Sequence, residues 1–203
     1  MPHGSAPLRI LFSMRNYWYV RHFEPVIREL AAHGHHVHLL AERATNEQAQ
    51  DWRAAADALA AEVPGLTFES APRAHEDDWY DLRLILRLGL DYVRFTRPEY
   101  RSLSQLVARA RSRTPRWLRR AAESPIGRSR IGRALLTRTL GAAEAAAPPD
   151  HALAAYIESH RPDLVMVTPL VELGSEQADV VRVARRLGIP TADPIFSNFT
   201  HGN

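Results

Sequence analysis

The sequence predicts an α/β fold with a mainly parallel sheet of about five or more strands and a long helical insertion between the third and fourth. Three features carry this expectation. Short apolar runs alternate with segments of helical period at both ends of the chain. Residues 163–168 are almost continuously apolar, as in strands that a parallel sheet buries on both faces. Residues from about 79 to 140 contain no strand-like run and read as wholly helical. The 203 residues and 45% hydrophobic content are enough for one sizeable core, so 1–203 is expected to be a single domain with an insertion at about 79–140.

Each element has a local reason. Leu8 to Phe12 reads as a buried first strand. Phe23, Val26, Ile27, Leu30 and Ala31 then repeat at the spacing of one helix face. Pro25 is best tolerated in a first turn, which places the helix start near His22 or Phe23, and Gly34 suits its C-terminal cap. Val37 to Ala41 forms the second strand. Thr45-Asn46-Glu47-Gln48 has the pattern of a capping box, and Ala49, Trp52, Ala56, Leu59 and Val63 continue it at helical spacing. Pro64-Gly65 breaks the chain before a third strand at Leu66 to Glu69. In the insertion, Leu82, Ile85, Leu86, Gly89, Tyr92 and Val93 form an apolar stripe, and Pro98, Pro115 and Pro125 mark breaks. Ala142 to Pro149 reads as a small-residue linker, with Asp150 capping the next helix. A helix from about Ser175 to Leu187, ended by Gly188, separates the 163–168 strand from a last strand at Ile189 to Ile195.

Composition excludes several chemistries. There is no cysteine, hence no disulfide or thiol nucleophile. All 26 basic residues are arginine, so Schiff-base and P-loop lysine chemistry is absent. No Gly-x-Gly-x-x-Gly or Gly-x-Ser-x-Gly motif occurs, which removes the main support for dinucleotide oxidoreductase and α/β-hydrolase readings. No apolar run approaches the length of a membrane span, and residues 1–7 lack the form of a secretory signal, so a cytoplasmic location is expected.

His22-Phe23-Glu24-Pro25, followed by Leu30-Ala31-Ala32-His33-Gly34-His35-His36-Val37, resembles the opening of GT-B-type glycosyltransferases. Arg161-Pro162-Asp163-Leu164-Val165, Thr168-Pro169-Leu170-Val171 and Leu187-Gly188-Ile189-Pro190-Thr191 resemble later strands of such domains. Phe196-Ser197-Asn198-Phe199-Thr200 is similar to a Trp-Asp-Asn-Leu-Thr segment of some bacterial glycosyltransferase-like proteins. The resemblance implies a Rossmann-like, three-layer, acceptor-binding half of an inverting, metal-independent enzyme with no bound cofactor. Its nucleotide-sugar donor would be held by a second domain beyond these 203 residues, and the acceptor would be a hydroxyl compound. Where the family has a glycine before the histidine, this chain has Arg21. Two other readings fit the same fold: a non-catalytic module binding a glycan, lipid or partner, and half of a sugar-nucleotide 2-epimerase.

The loop 13–21 should lie at the carboxyl end of the first strand, where open α/β sheets bind ligands. The resemblance gives His22 the role of the base that deprotonates the acceptor. A helix N-terminus disfavours imidazolium, which keeps such a base neutral. Arg15 and Arg21 are placed to hold an anionic ligand, and Asn16, Tyr17, Trp18 and Tyr19 to contact a sugar or apolar acceptor. Thr168 and Asn198 are expected at the cleft edge, with Glu172 as the nearest acid to orient His22.

His33, His35, His36 and His38 resemble a metal cluster in composition, but no nearby acid or cysteine completes a set, so no metal is expected. Between Arg109 and Arg138 stand ten arginines and the single acid Glu123, a local net charge of +9. The segment is a candidate for peripheral contact with anionic lipid headgroups, with Trp117, Leu118, Ile126, Ile131 and Leu135 as anchors, and would suit a lipid-linked acceptor at the inner membrane face. The competing reading is a solvated helical face. No nucleic-acid-binding motif is present.

Overall fold

The computed structural model describes residues 6–41, 47–71, 77–100, 102–169 and 173–194. Five parallel strands, β1 (Arg9–Met14), β2 (His36–Ala41), β3 (Leu66–Ser70), β4 (Leu164–Thr168) and β5 (Thr191–Ala192), form one sheet in the order β3-β2-β1-β4-β5. Strand β1 is central because its apolar residues are needed on both sides. Ile10, Phe12 and Met14 belong to one core with helices α1 (Val20–Ala32) and α2 (Glu47–Glu62), whereas Leu11 belongs to a second core with α8 (His151–His160) and α9 (Gln177–Arg186). Alternation along a strand sends successive side chains to opposite faces, so one continuous apolar run feeds two layers of helix. The expected Rossmann-like, three-layer α/β architecture is the one observed.

The chain divides into two compact units. The sheet unit draws on Met1–Ala74, Pro149–Leu170 and Glu176–Asn203, and the helical unit on His75–Pro148 and Val171–Ser175. The helical unit contains α3 (Tyr80–Phe95), α4 (Ser104–Arg113), α5 (Arg116–Glu123), α6 (Pro125–Arg128) and α7 (Arg130–Ala146). Its core is Leu86, Tyr92, Val93, Ala110, Leu118, Ala122 and Leu140. Gly89 permits close helix packing here: a Cβ at that position would lie 2.9 Å from Leu118 Cδ1 and 3.3 Å from Leu140 Cδ1.

Local signals place most boundaries. Asp150 caps α8, its Oδ1 accepting from the Leu153 N–H at 2.9 Å, a bond of the kind that contributes about 1 kcal/mol. Gly34 takes φ +84° just past α1, a left-handed conformation that costs glycine least.

Four expectations need correction. Helix α1 starts at Val20, because a 3-10 turn at Tyr17–Tyr19 leads directly into it, so Pro25 lies past the first turn. Helix α7 continues to Ala146 through the supposed linker, since alanine is the strongest helix former. Leu82 is exposed, whereas Arg83 and Arg87 of the same helix are buried. The last strand is only Thr191–Ala192. The capping-box residues Thr45 and Asn46 lie outside the described residues. Among the described residues, no helix is long and apolar enough to cross a membrane.

Candidate functional site

The sheet order changes direction between β1 and β4: the chain builds outward from β1 through β2 to β3, then returns to β1's other side. Ligands of open α/β sheets bind outside the carboxyl ends of the strands at such a point. Here those ends are Met14 and Thr168, which are register partners, and the ladder is extended by the Arg15 N–H donating to the Thr168 carbonyl at 3.2 Å. Behind them, the buried Ser13 hydroxyl donates to Gln177 Oε1 at 2.8 Å, tying β1 to the start of α9.

The chain then turns sharply into α1. Asn16 Oδ1 accepts from the Trp18 N–H at 3.1 Å and caps the 3-10 turn. The expected ligand contact by Asn16 is therefore replaced, at this oxygen, by a capping role. Val20 and Phe23 anchor the helix in the core. His22 falls in the first turn of α1, half-buried, with its ring edge-on to Trp18 at a centroid distance of 4.3 Å.

Arg21 packs its guanidinium over the Trp18 ring at 4.1 Å, and its Nε–H donates to His22 Nε2 at 3.3 Å. That bond requires Nε2 to carry the lone pair, hence a neutral imidazole. Burial first, and the Arg21 charge second, hold the His22 pKa below the ordinary histidine value. The arginine standing where the resembling family has glycine thus has a defined local role. It lies over Trp18, bonds His22 and helps keep the imidazole unprotonated.

Two expected contact residues are buried. Tyr17 is buried, at 6% exposure; its ring packs edge-on against Phe68 and its hydroxyl donates to the Glu69 carbonyl at 2.6 Å. It ties the turn to β3. Thr168 is likewise buried, at the end of β4. Arg15 and Trp18 are half-buried, and Arg21 is exposed. Glu172 and Asn198 lie outside the described residues.

The histidine-rich stretch divides by task. His33 Nδ1 pairs with the Glu29 carbonyl at 2.9 Å, and His35 Nδ1 accepts from the Leu8 N–H at 3.1 Å, so both bind backbone beside the end of α1. His38 differs. Its Nδ1 meets Thr67 Oγ1 at 2.7 Å, and its Nε2 meets the Tyr156 hydroxyl at 2.6 Å. That hydroxyl donates to Glu69 Oε2 at 3.0 Å, and the His160 ring stacks on His38 with centroids 4.4 Å apart. Burial, then the neighbouring His160, lower the His38 pKa, while burial and the bond to Glu69 raise that of Tyr156. No acid completes a metal set among the chain neighbours of these histidines, but in space ligand atoms of Glu69, His38 and His160 lie within 4.8 Å of one another. Sequence spacing carries no signal for the group, because its members come from β2, β3 and α8.

No protein-family model, curated protein or solved structure matches this chain.

Proposed function

We propose that the chain is the acceptor-binding half of a sugar transferase, with His22 as the base that takes the proton of the acceptor hydroxyl. The observation that carries this reading is a neutral imidazole held in the first turn of α1, at the carboxyl end of the central strand, against an aromatic ring. Transfer to a hydroxyl needs a proton acceptor near neutral pH, and an indole beside it offers an acceptor an apolar face and a polar N–H. A second domain would supply the nucleotide-sugar.

Trp18 offers a direct test of the acceptor wall. Titration with short-chain alkyl glycosides is expected to change the tryptophan fluorescence, and Trp18→Phe to abolish that change while the other tryptophans still report a folded chain. A response that survives Trp18→Phe would put the ligand elsewhere. Saturable binding with no transfer by the full-length protein would favour the non-catalytic module.

The reading extends to a lipid-linked acceptor through the helical unit. Ile126 and Ile131 are 78% and 83% exposed, and Trp117 and Leu135 are also exposed. Ile131 and Leu135 stand four residues apart on α7, hence on one face. Arg116, Arg120, Arg128, Arg130 and Arg138 surround them in the chain and are exposed. Leu118, expected as a fifth anchor, is instead buried in the core of this unit. Arginines near an anionic surface contribute about 1 kcal/mol each. Co-sedimentation with phosphatidylglycerol vesicles is therefore expected, weakening steeply with salt and with Ile131→Asp, and absent with pure phosphatidylcholine. Equal binding to both vesicle types counts against the lipid contact.

A further inference from the structure

We propose that His38, Glu69 and His160 form a binding site for one divalent transition-metal ion of the zinc type. One ligand atom from each residue lies within 4.8 Å of the others. Two imidazoles and one carboxylate are a zinc donor set that leaves a fourth position open, and imidazole nitrogen disfavours calcium and magnesium. Tetrahedral bonds of about 2.0 Å would bring the donors to about 3.3 Å of one another. The closure required is therefore about an ångström or more, within reach of side-chain rotation for a half-buried pair of histidines and an exposed glutamate.

The surroundings already hold His160 as a metal ligand is held, and His38 needs one change of tautomer to match it. Histidines that bind metal pass their second ring nitrogen to a carbonyl, carboxylate or hydroxyl, which sets the tautomer. His160 Nδ1 pairs with the Tyr156 carbonyl at 2.8 Å, and this leaves Nε2 with the lone pair. His38 Nδ1 pairs with the Thr67 hydroxyl, which can donate or accept. In the structure the consistent proton order runs from Thr67 to His38 Nδ1, from His38 Nε2–H to the Tyr156 hydroxyl, and from that hydroxyl to Glu69. On metal binding, His38 would lose its Nε2 proton to solvent and take one at Nδ1 from solvent, Thr67 would rotate to accept from Nδ1–H, Nε2 would turn to the ion, and the Tyr156 hydroxyl would keep its bond to the carboxylate.

There is also an entry path. His38 and His160 line an open groove with His36, Thr67 and Pro162, at the amino end of the sheet. The groove and all three ligands belong to the sheet unit. An ion there would clamp β2, the edge strand β3 and α8 together, independently of any chemistry at His22.

The test is calorimetric titration of the full chain with zinc chloride, repeated with cobalt chloride under an absorption spectrometer. One equivalent is expected, with a raised Tm and the intense visible bands of four- or five-coordinate cobalt. His38→Ala, Glu69→Gln and His160→Ala should each weaken binding at least tenfold with an unchanged far-UV circular dichroism spectrum. Thr67→Val, which removes only the orienting hydroxyl, should cost roughly ten- to a hundredfold. Should His38→Ala unfold the chain, the exposed-site variant Glu69→Gln decides the matter alone. Absence of binding, a six-coordinate cobalt spectrum, or affinity that survives Glu69→Gln and His160→Ala but is lost in His33→Ala/His36→Ala overturns the proposal.

Discussion

On the proposed reading, His22→Ala is expected to lower sugar transfer, assayed with a donor-binding domain, roughly a hundredfold to ten-thousandfold, with little change in the acceptor KM. In the proposed mechanism the side chain acts on the proton that leaves in the transition state, so its loss should fall on kcat more than on ground-state binding. His22→Gln, which keeps a polar side chain but cannot take the proton, should be as impaired. Transfer at the original rate in either variant removes His22 from the mechanism and leaves the domain a binding module.

The pH dependence has a defined sign. The folded His22 pKa lies below the ordinary histidine value, so the base stays neutral into mildly acidic solution, and kcat/KM should fall only as pH drops through that depressed value. Arg21→Ala should move this acid limb upward, toward the ordinary value. The displacement should be partial, since burial is the larger cause and the arginine charge the smaller. Linkage runs in the same direction: the unfolded chain takes up the proton more readily, so the His22 contribution to folding diminishes as pH falls through this window.

Arg83→Ala is expected to destabilise the helical unit by about 3–5 kcal/mol, the cost of removing one partner from a buried ion pair. Arg83 is 1% exposed on α3. Its guanidinium pairs with Asp77 and donates to the Pro148 carbonyl at 2.8 Å, so one side chain ties both ends of the helical unit's main segment. Four residues along α3, Arg87 repeats the device, with Nε toward Glu144 at 3.3 Å and Nη1 donating to the Ser175 carbonyl at 3.2 Å. Truncation at Arg83 leaves the largely buried Asp77 carboxylate without this cation and opens a cavity the size of the arginine stem. Arg83→Lys keeps the charge but loses the fork that reaches two acceptors at once, and should recover only part of the stability. Hydrogen exchange of the α3 amides, followed through urea, is the appropriate measurement, because the two units need not unfold in one step. Unaltered protection in Arg83→Ala would mean that the buried arginine contributes nothing.

Sequence alone determined the parallel α/β sheet, the sites of its first four strands, the all-helical middle, the Asp150 cap and the Gly34 turn. Each rests on a pattern that repeats or terminates within a dozen residues, and backbone geometry reads such patterns locally. It also placed His22 in the first turn after β1, because a strand-to-helix turn fixes its own neighbours. Only the tertiary structure decided that Tyr17 turns inward beneath Phe68, that Leu82 faces out while Arg83 faces in, and that Glu69 and His160 meet His38. A helical wheel marks the arginines of α3 as its polar side, and nothing local reveals the carboxylate and carbonyls that make their burial tolerable. The group around His38 is assembled by the pairing of β2 with β3 and the docking of α8, contacts that span up to 122 residues of chain. Side chains brought together over such separations leave no periodicity to read, since their proximity is a product of the completed fold.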